Sequence, residues 1–319
     1  MKPLNVFPYD ANFDFMRLRW VSLAMVLLTL VIAVGSMATR GFNFALDFTG
    51  GVGVELRYAK APDVDQVRGR LDAAGFENAV VQTLGNGSDL LVRLQAPEEG
   101  AAGARADVEG VGDSVARAAS LPGNAAEKRS SAEISPQVGK ELAQNGVYAL
   151  LFVVFGFLVY IWFRFELKFA IAAIITTLHD VVVVLGWFAL MQHEFDLTVL
   201  AGVLSVLGYS INDTIVVFDR VRENFKSMRA EPRDVLNKSI NQTLSRTIIT
   251  SFVAFLTVLA LYLYGGGSLQ GMAESQMIGI IVGTVSTIFI ACPLLLWLGV
   301  TKQDLMPKAR DEAALARRP

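Results

Sequence analysis

Six stretches of this chain are apolar for long enough to cross a bilayer, and they limit the fold more than any other feature. They lie near 20–38, 147–163, 169–190, 197–218, 248–264 and 275–298. A helical span needs about 20 residues. Within hydrocarbon every backbone N–H and C=O must be satisfied internally, so runs of this length form helices. The second and fifth runs are short, and each is expected to continue into its polar flank, at Gly139–Gly146 and Leu244–Thr247. A mean hydropathy of +0.45 fits a membrane protein. Ser36-Met37-Ala38 looks like a cleavage site, but the apolar run before it exceeds the usual secretory length of roughly 7–15 residues. It reads as an uncleaved anchor.

Charge sets the orientation. Short-loop Lys and Arg cluster at Lys2, Arg17 and Arg19, at Arg164 and Lys168, from Arg220 to Arg246, and from Lys302 to Arg318. The loops around Met191–Asp196 and Gly265–Gly271 carry none. Such residues stay on the cytoplasmic side, so both termini are expected there and the long 41–138 segment outside. The expected division is a tail to 19, the first span at 20–38, an outer domain at 41–138, a five-helix region at 139–298 and a tail at 299–319. A net charge of −2 suggests no nucleic-acid partner. The single cysteine, Cys292, lies inside the last span and reads as packing. No metal site or cofactor is expected.

The outer segment changes character. Val52–Tyr58 alternates apolar and polar, as a half-buried strand does. Asp63–Ala74, bounded by Pro62 and Gly75, reads as a helix with Val64, Val67 and Leu71 on one face. Ala79–Leu84 and Leu90–Leu94 flank the hairpin signal Gly85-Asn86-Gly87-Ser88. A helix across 103–119 and a strand at Ala132–Ile134 follow. The order β-α-β-β-α-β is that of a ferredoxin-like module. With no nucleophile–base pair or phosphate-cradling motif, this domain reads as a binding or positioning unit.

Within the fourth run lies Asp213, a carboxylate that costs on the order of 2.5–3.5 kcal/mol to insert. Gly202, Ser205, Tyr209, Asn212 and Asp213 share one face, and Val203, Leu207, Ile211, Thr214 and Phe218 the other. Arg246 opens the fifth run from the same side. A carboxylate that alternates between a proton and an Arg partner is a two-state switch; snorkelling of Arg246 to the interface is the plainer alternative. His179 and Asp180 lie centrally in the third run. Neighbours point about 100° apart, so each is expected to face a different partner rather than form a dyad. A relay and a packing polar pair both fit, and Tyr209 and Asn212 are further candidates for either role. Asp219 and Arg220 read as boundary charges. Ser275, Gly279, Gly283 and Thr287, at intervals of four, form a close-packing seam, either within the chain or against a partner. Asp47 with Gly50 and Gly51 reads as a hinge or a plain turn between the first span and the outer domain.

Four stretches together resemble the SecF family of the bacterial Sec export machinery. They are Leu46-Asp47-Phe48-Thr49-Gly50-Gly51, Ser135-Pro136-Gln137-Val138-Gly139-Lys140-Glu141-Leu142, Tyr209 to Arg220 (YSINDTIVVFDR), and Leu244-Ser245-Arg246-Thr247. Ser135 departs from the Gly usual there. The resemblance implies a half-transporter of the resistance-nodulation-division superfamily in the bacterial inner membrane. It would pair with SecD, act with the SecYEG channel on unfolded polypeptide, and use protons as the coupling ion; YajC is a further candidate partner. No hydrolytic site is implied. A passive scaffold for SecD and the channel, and a small-molecule efflux subunit, are the competing functions.

Overall fold

The structure, a computed structural model, describes residues 12–76, 79–84, 87–95, 108–134 and 136–305. Ser135, Gly85, Asn86, the start of the helix expected from 103, and the tail charges before 12 and after 305 lie outside these residues. Among the described residues, six helices are long and apolar enough to cross a membrane. They are α1 (Arg19–Arg40), α5 (Pro136–Arg164), α6 (Leu167–Met191), α7 (Leu197–Ser227), α8 (Pro232–Tyr264), and a last span made of α9 (Gly267–Ser286) and α10 (Cys292–Trp297) joined by a π turn at Thr287–Ala291. Between α1 and α5 lie β1 (Asn43–Phe44), α2 (Leu46–Thr49), β2 (Gly51–Arg57), α3 (Val64–Ala73), β3 (Val80–Leu84), β4 (Asp89–Gln95), α4 (Val108–Ala119) and β5 (Glu127–Ile134); β6 (Glu194–Phe195) precedes α7.

The sheet runs β3-β4-β2-β5, antiparallel throughout. Helices α3 and α4 pack against each other and against its strands. Asp63 starts α3 by accepting from the Asp65 and Gln66 N–H groups, which satisfies donors the first turn leaves free. Val54, Leu56, Val67, Leu71, Leu90, Val92 and Val115 are fully buried at the centre. Strand β5 starts five residues earlier than its sequence suggests. Its first half, Glu127 to Ser131, has no apolar alternation because it is an edge strand, where charged residues block further pairing.

The sheet domain stands over one end of the bundle. Asn43–Phe44 pairs in parallel with Glu194–Phe195, and Phe42, Phe44, Phe48, Phe188 and Phe195 form a ring cluster there. Gly50 and Gly51 link α2 to β2 at φ 72° and 137°, a region that L side chains rarely adopt. A methyl on Gly139 of α5 would stand 2.8 Å from the Phe48 carbonyl oxygen, so α5 presses directly on this turn. Asp47 accepts from the Leu197 N–H at 3.3 Å, tying the turn to the start of α7.

At the far end two helices exceed their expected lengths. Helices α7 and α8 have 31 and 33 residues, about 46–50 Å at 1.5 Å per residue against a hydrocarbon core of about 30 Å. Their polar extensions form a hairpin in which Asn224 donates to Ser239 at 2.8 Å. The chain before α1 docks on it, with the Phe13 and Met16 N–H groups donating to Asn241 and Asn237, both at 3.0 Å. Asp219 and Arg220 belong to this polar zone, paired with Arg164 at 3.1 Å and Glu223 at 2.9 Å respectively. The π turn has a local cause. Pro293 has no N–H and its ring crowds the carbonyl four residues back, so the ladder widens just before it. Cys292 is fully buried in this stretch.

Candidate functional site

Helices α7 and α9 run in the same direction and meet along a ladder of constant offset. Gly202 faces Ser275, Val206 faces Gly279, Ser210 faces Gly283, and Thr214 meets Thr287 with hydroxyls 3.3 Å apart. A methyl on Gly279 would collide with the Val206 side chain, and one on Gly202 with Ser275 and, at 2.8 Å, with the Met272 carbonyl oxygen. The seam Ser275–Gly279–Gly283–Thr287 is therefore filled from within the chain. Small side chains let the backbones close up and bring the polar groups of α6, α7 and α9 together.

Asp213 is 7 % exposed. Its Oδ1 accepts from the Thr247 hydroxyl at 3.0 Å, while Oδ2 has no hydrogen-bond partner. Arg246 is exposed, and among the described residues no ion pair joins it to Asp213. The cause is helical phase: Thr247, about 100° round from Arg246, is the α8 residue turned to the carboxylate. Tyr209 donates to Ser251 at 2.7 Å, and Thr284 reaches the same hydroxyl at 2.7 Å. Asn212 and Ser205 face outward from the bundle. The polar stripe read from the sequence thus divides, with Gly202 and Asp213 inside.

A second buried cluster lies one turn closer to the sheet. The carboxylate of Asp180 is fully buried, with Oδ2 accepting from Ser210 at 2.5 Å and Ser286 at 2.7 Å. Its Oδ1 is 3.0 Å from His179 Nδ1, and His179 Nε2 is 3.3 Å from the Thr29 hydroxyl of α1. The expectation that these neighbours would not form a dyad is corrected. Their Cα–Cβ directions diverge, but side-chain rotation in a fully packed setting turns Nδ1 back to the carboxylate. Each also reaches its own partner, as expected. Sequence reading missed Ser210, Ser286, Thr247, Ser251 and Thr284, because hydroxyls are common in membrane helices and carry no signal until the helix rotation is known.

These features define a multi-pass membrane protein with a sheet domain at one end and buried carboxylates between its central helices. Residues 115–301 match the family described as "Protein export membrane protein SecD/SecF, C-terminal", and residues 35–62 match the "SecD/SecF GG Motif". The chain is 46 % identical over 302 residues to the protein translocase subunit SecF of Pseudomonas aeruginosa, covering 93 % of this chain and 95 % of that one. The Escherichia coli O157:H7 SecF is 40 % identical, over 95 % and 93 % of the two chains. The crystal structure of SecDF, a translocon-associated membrane protein from Thermus thermophilus, superposes with a TM-score of 0.78 at 35 % identity, covering 92 % of this chain. The chain spans 39 % of that SecDF chain. This chain belongs to the SecF family.

Proposed function

We infer that this chain is the SecF half of a SecD–SecF pair that uses the proton gradient to promote polypeptide export through the SecYEG channel. The observation that carries the reading is Asp213: a buried carboxylate with one oxygen unpartnered, bonded to Thr247, the residue that follows Arg246 in the fifth span. A scaffold that only holds a partner needs no charge at depth, where insertion costs on the order of 2.5–3.5 kcal/mol. In this reading Arg246, exposed here, pairs with Asp213 in the alternate state by a swing of its side chain or a rotation of α8 against α7. Asp47, Gly50 and Gly51, clamped between the starts of α5 and α7, are the hinge that passes that motion to the sheet domain.

The domain's strand order supports a ferredoxin-like module, and the charge pattern of the short loops supports its placement outside the inner membrane with both termini cytoplasmic. The outward-facing Asn212 and Ser205 of α7 support a partner helix on that side, consistent with SecD. YajC fits as an additional neighbour. The role is non-hydrolytic, with protons as the coupling ion.

The test measures gradient-dependent export and proton flux in vesicles containing the SecD partner. Asp213→Asn, nearly equal in volume, is expected to assemble normally and lose gradient stimulation. Arg246→Met is expected to lose it as well, and Asp219→Asn to keep it. Normal stimulation in the Asp213→Asn protein, at normal expression, returns the chain to the passive-scaffold reading.

A further inference from the structure

The cluster around Asp180 has the hydrogen-bond arithmetic of a group that changes its proton count. Thr29 has one hydroxyl hydrogen and two acceptors in reach, the Val26 carbonyl at 2.9 Å and His179 Nε2 at 3.3 Å; when it bonds the carbonyl, its oxygen accepts and Nε2 donates. On the other side Nδ1 faces the Asp180 carboxylate, which also requires a donor when that carboxylate is ionised. With both ring nitrogens donating, histidine is an imidazolium and the pair is neutral overall. One proton fewer leaves the pair with a net charge of −1 in the middle of a membrane. The pair is therefore one proton site shared by two groups.

The hydroxyls around it can serve both states. Ser286 has one hydrogen and two acceptors in reach, Asp180 Oδ2 at 2.7 Å and the Gly283 carbonyl at 3.1 Å. Donating to the carbonyl, Ser286 presents a lone pair that can accept a proton from Asp180. Donating to Asp180, it holds the ionised form. Ser210 lies one helical turn before Asp213 on α7. Thr287 follows Ser286 on α9, stands beside Asp213, and donates to the Gly283 carbonyl at 2.9 Å. It is also the first residue of the π turn, a distortion that often marks functional positions. From every packed element the facing groups are defined: α1 brings Thr29, α7 brings Ser210 with Asp213 a turn beyond, and α9 brings Gly283 and Ser286. His179 is the titratable group bonded to Asp180 among the described residues, and Asp213 lies a turn beyond Ser210.

We propose that His179 and Asp180 form a second proton-binding station, one turn toward the sheet domain from Asp213, exchanging protons in series with it across Ser210, Ser286 and Thr287. The station takes up one proton as the imidazolium–carboxylate pair. Release passes a proton from Asp180 to the Ser286 oxygen as the Ser286 hydrogen goes to the Thr287 oxygen; the Thr287 hydrogen, which otherwise bonds the Gly283 carbonyl, turns and is given to the Asp213 carboxylate at Oδ2. One proton enters and one leaves, with no net change at the hydroxyls. The proposal rests on the proton-coupled reading above and deepens it.

Infrared difference titration of the full chain in lipid nanodiscs tests it apart from that reading. Wild type is expected to show two pH-dependent contributions, protonation of the Asp213 carboxyl and a shift of the Asp180 carboxylate band as its imidazolium partner loses a proton. Asp180→Asn should abolish one and Asp213→Asn the other, and each substitution should move the remaining midpoint by about one pH unit or more, as coupled sites do. His179→Gln keeps an amide donor but cannot titrate. It should leave the Asp213 contribution in place and move the Asp180 midpoint by a similar amount, which keeps the test usable if Asp180→Asn does not fold. If Asp180→Asn and His179→Gln both leave the spectrum and the Asp213 midpoint as in wild type, the cluster is polar packing and the station is refuted. A silent Asp213, by contrast, overturns the proton-coupled reading itself.

Discussion

The sheet domain and the helical bundle are built on opposite rules. The domain buries Val54, Leu56, Val67, Leu71, Leu90, Val92 and Val115 completely, and among the described residues it takes in a polar tip at the Tyr58 hydroxyl, which donates to the Ala119 carbonyl at 3.0 Å. The bundle fully buries Thr176, Asp180, Ser210, Thr214, Ser275, Ser286 and Thr287, and turns Trp20, Phe152, Phe155, Phe163 and Phe252 outward. In water, removing apolar surface drives folding. In lipid the tails are as apolar as leucine, so helices associate through close packing and hydrogen bonds. The same side chains therefore sort to opposite sides in the two regions, and the polar groups that the bundle gathers become available for chemistry.

Substitutions that exchange the two rules sharpen this contrast. The largest effect is expected at the seam. Gly279→Leu places a branched side chain where even a methyl meets Val206, so α7 and α9 should separate and the chain should fail to accumulate in membranes, read by protease sensitivity of detergent extracts. A larger apolar side chain is the wrong change here although it raises hydrophobicity. Next comes Leu71→Ala, fully buried in the sheet domain. It should cost about 2–5 kcal/mol of local stability, seen as faster amide exchange in the domain, while the membrane helices exchange as before. Loss of helix assembly in that variant would mean that the two regions fold as one unit.

The smallest effect separates the regions by pH. Tyr58→Phe removes one hydrogen bond and should cost about 1 kcal/mol. Burial pushes the Tyr58 hydroxyl up to about 12, against about 10 in an unfolded chain. The folded domain holds this proton more tightly, so its contribution is intact below about pH 10 and lost as pH rises through about 12. Domain stability measured by chemical denaturation should fall across that window in wild type, and Tyr58→Phe should remove this part of the decline. An unchanged decline would assign it to other groups.

What could be read in the sequence follows from which rule applies. Span number, the short-loop charge pattern, the strands and helices of the outer segment, and the burial of Asp213 follow from run length and periodicity. Which hydroxyl meets which carboxylate does not, because it depends on helix rotation. A shift of about 100° decides whether Arg246 or Thr247 meets Asp213, and the apolar pattern of α8 does not fix that phase. His179 and Asp180 are visible as costly residues, but their mutual contact depends on rotamers. The long overhangs of α7 and α8 escape notice because their residues are polar: the apolar run marks where lipid ends, not where the helix does.

The ladder between α7 and α9 has a consequence for how such a chain can vary. Its rungs repeat every four residues on both helices at one constant offset, so losing or gaining one residue between Gly202 and Thr214, or between Ser275 and Thr287, rotates every later rung by about 100°. Gly279 or Gly283 would then no longer receive Val206 or Ser210, and Ser210 and Ser286 would turn away from Asp180. Length changes in natural variants should therefore be excluded from these two segments and collect instead in the loops of the sheet domain, where a strand end can absorb an added residue without moving its partners.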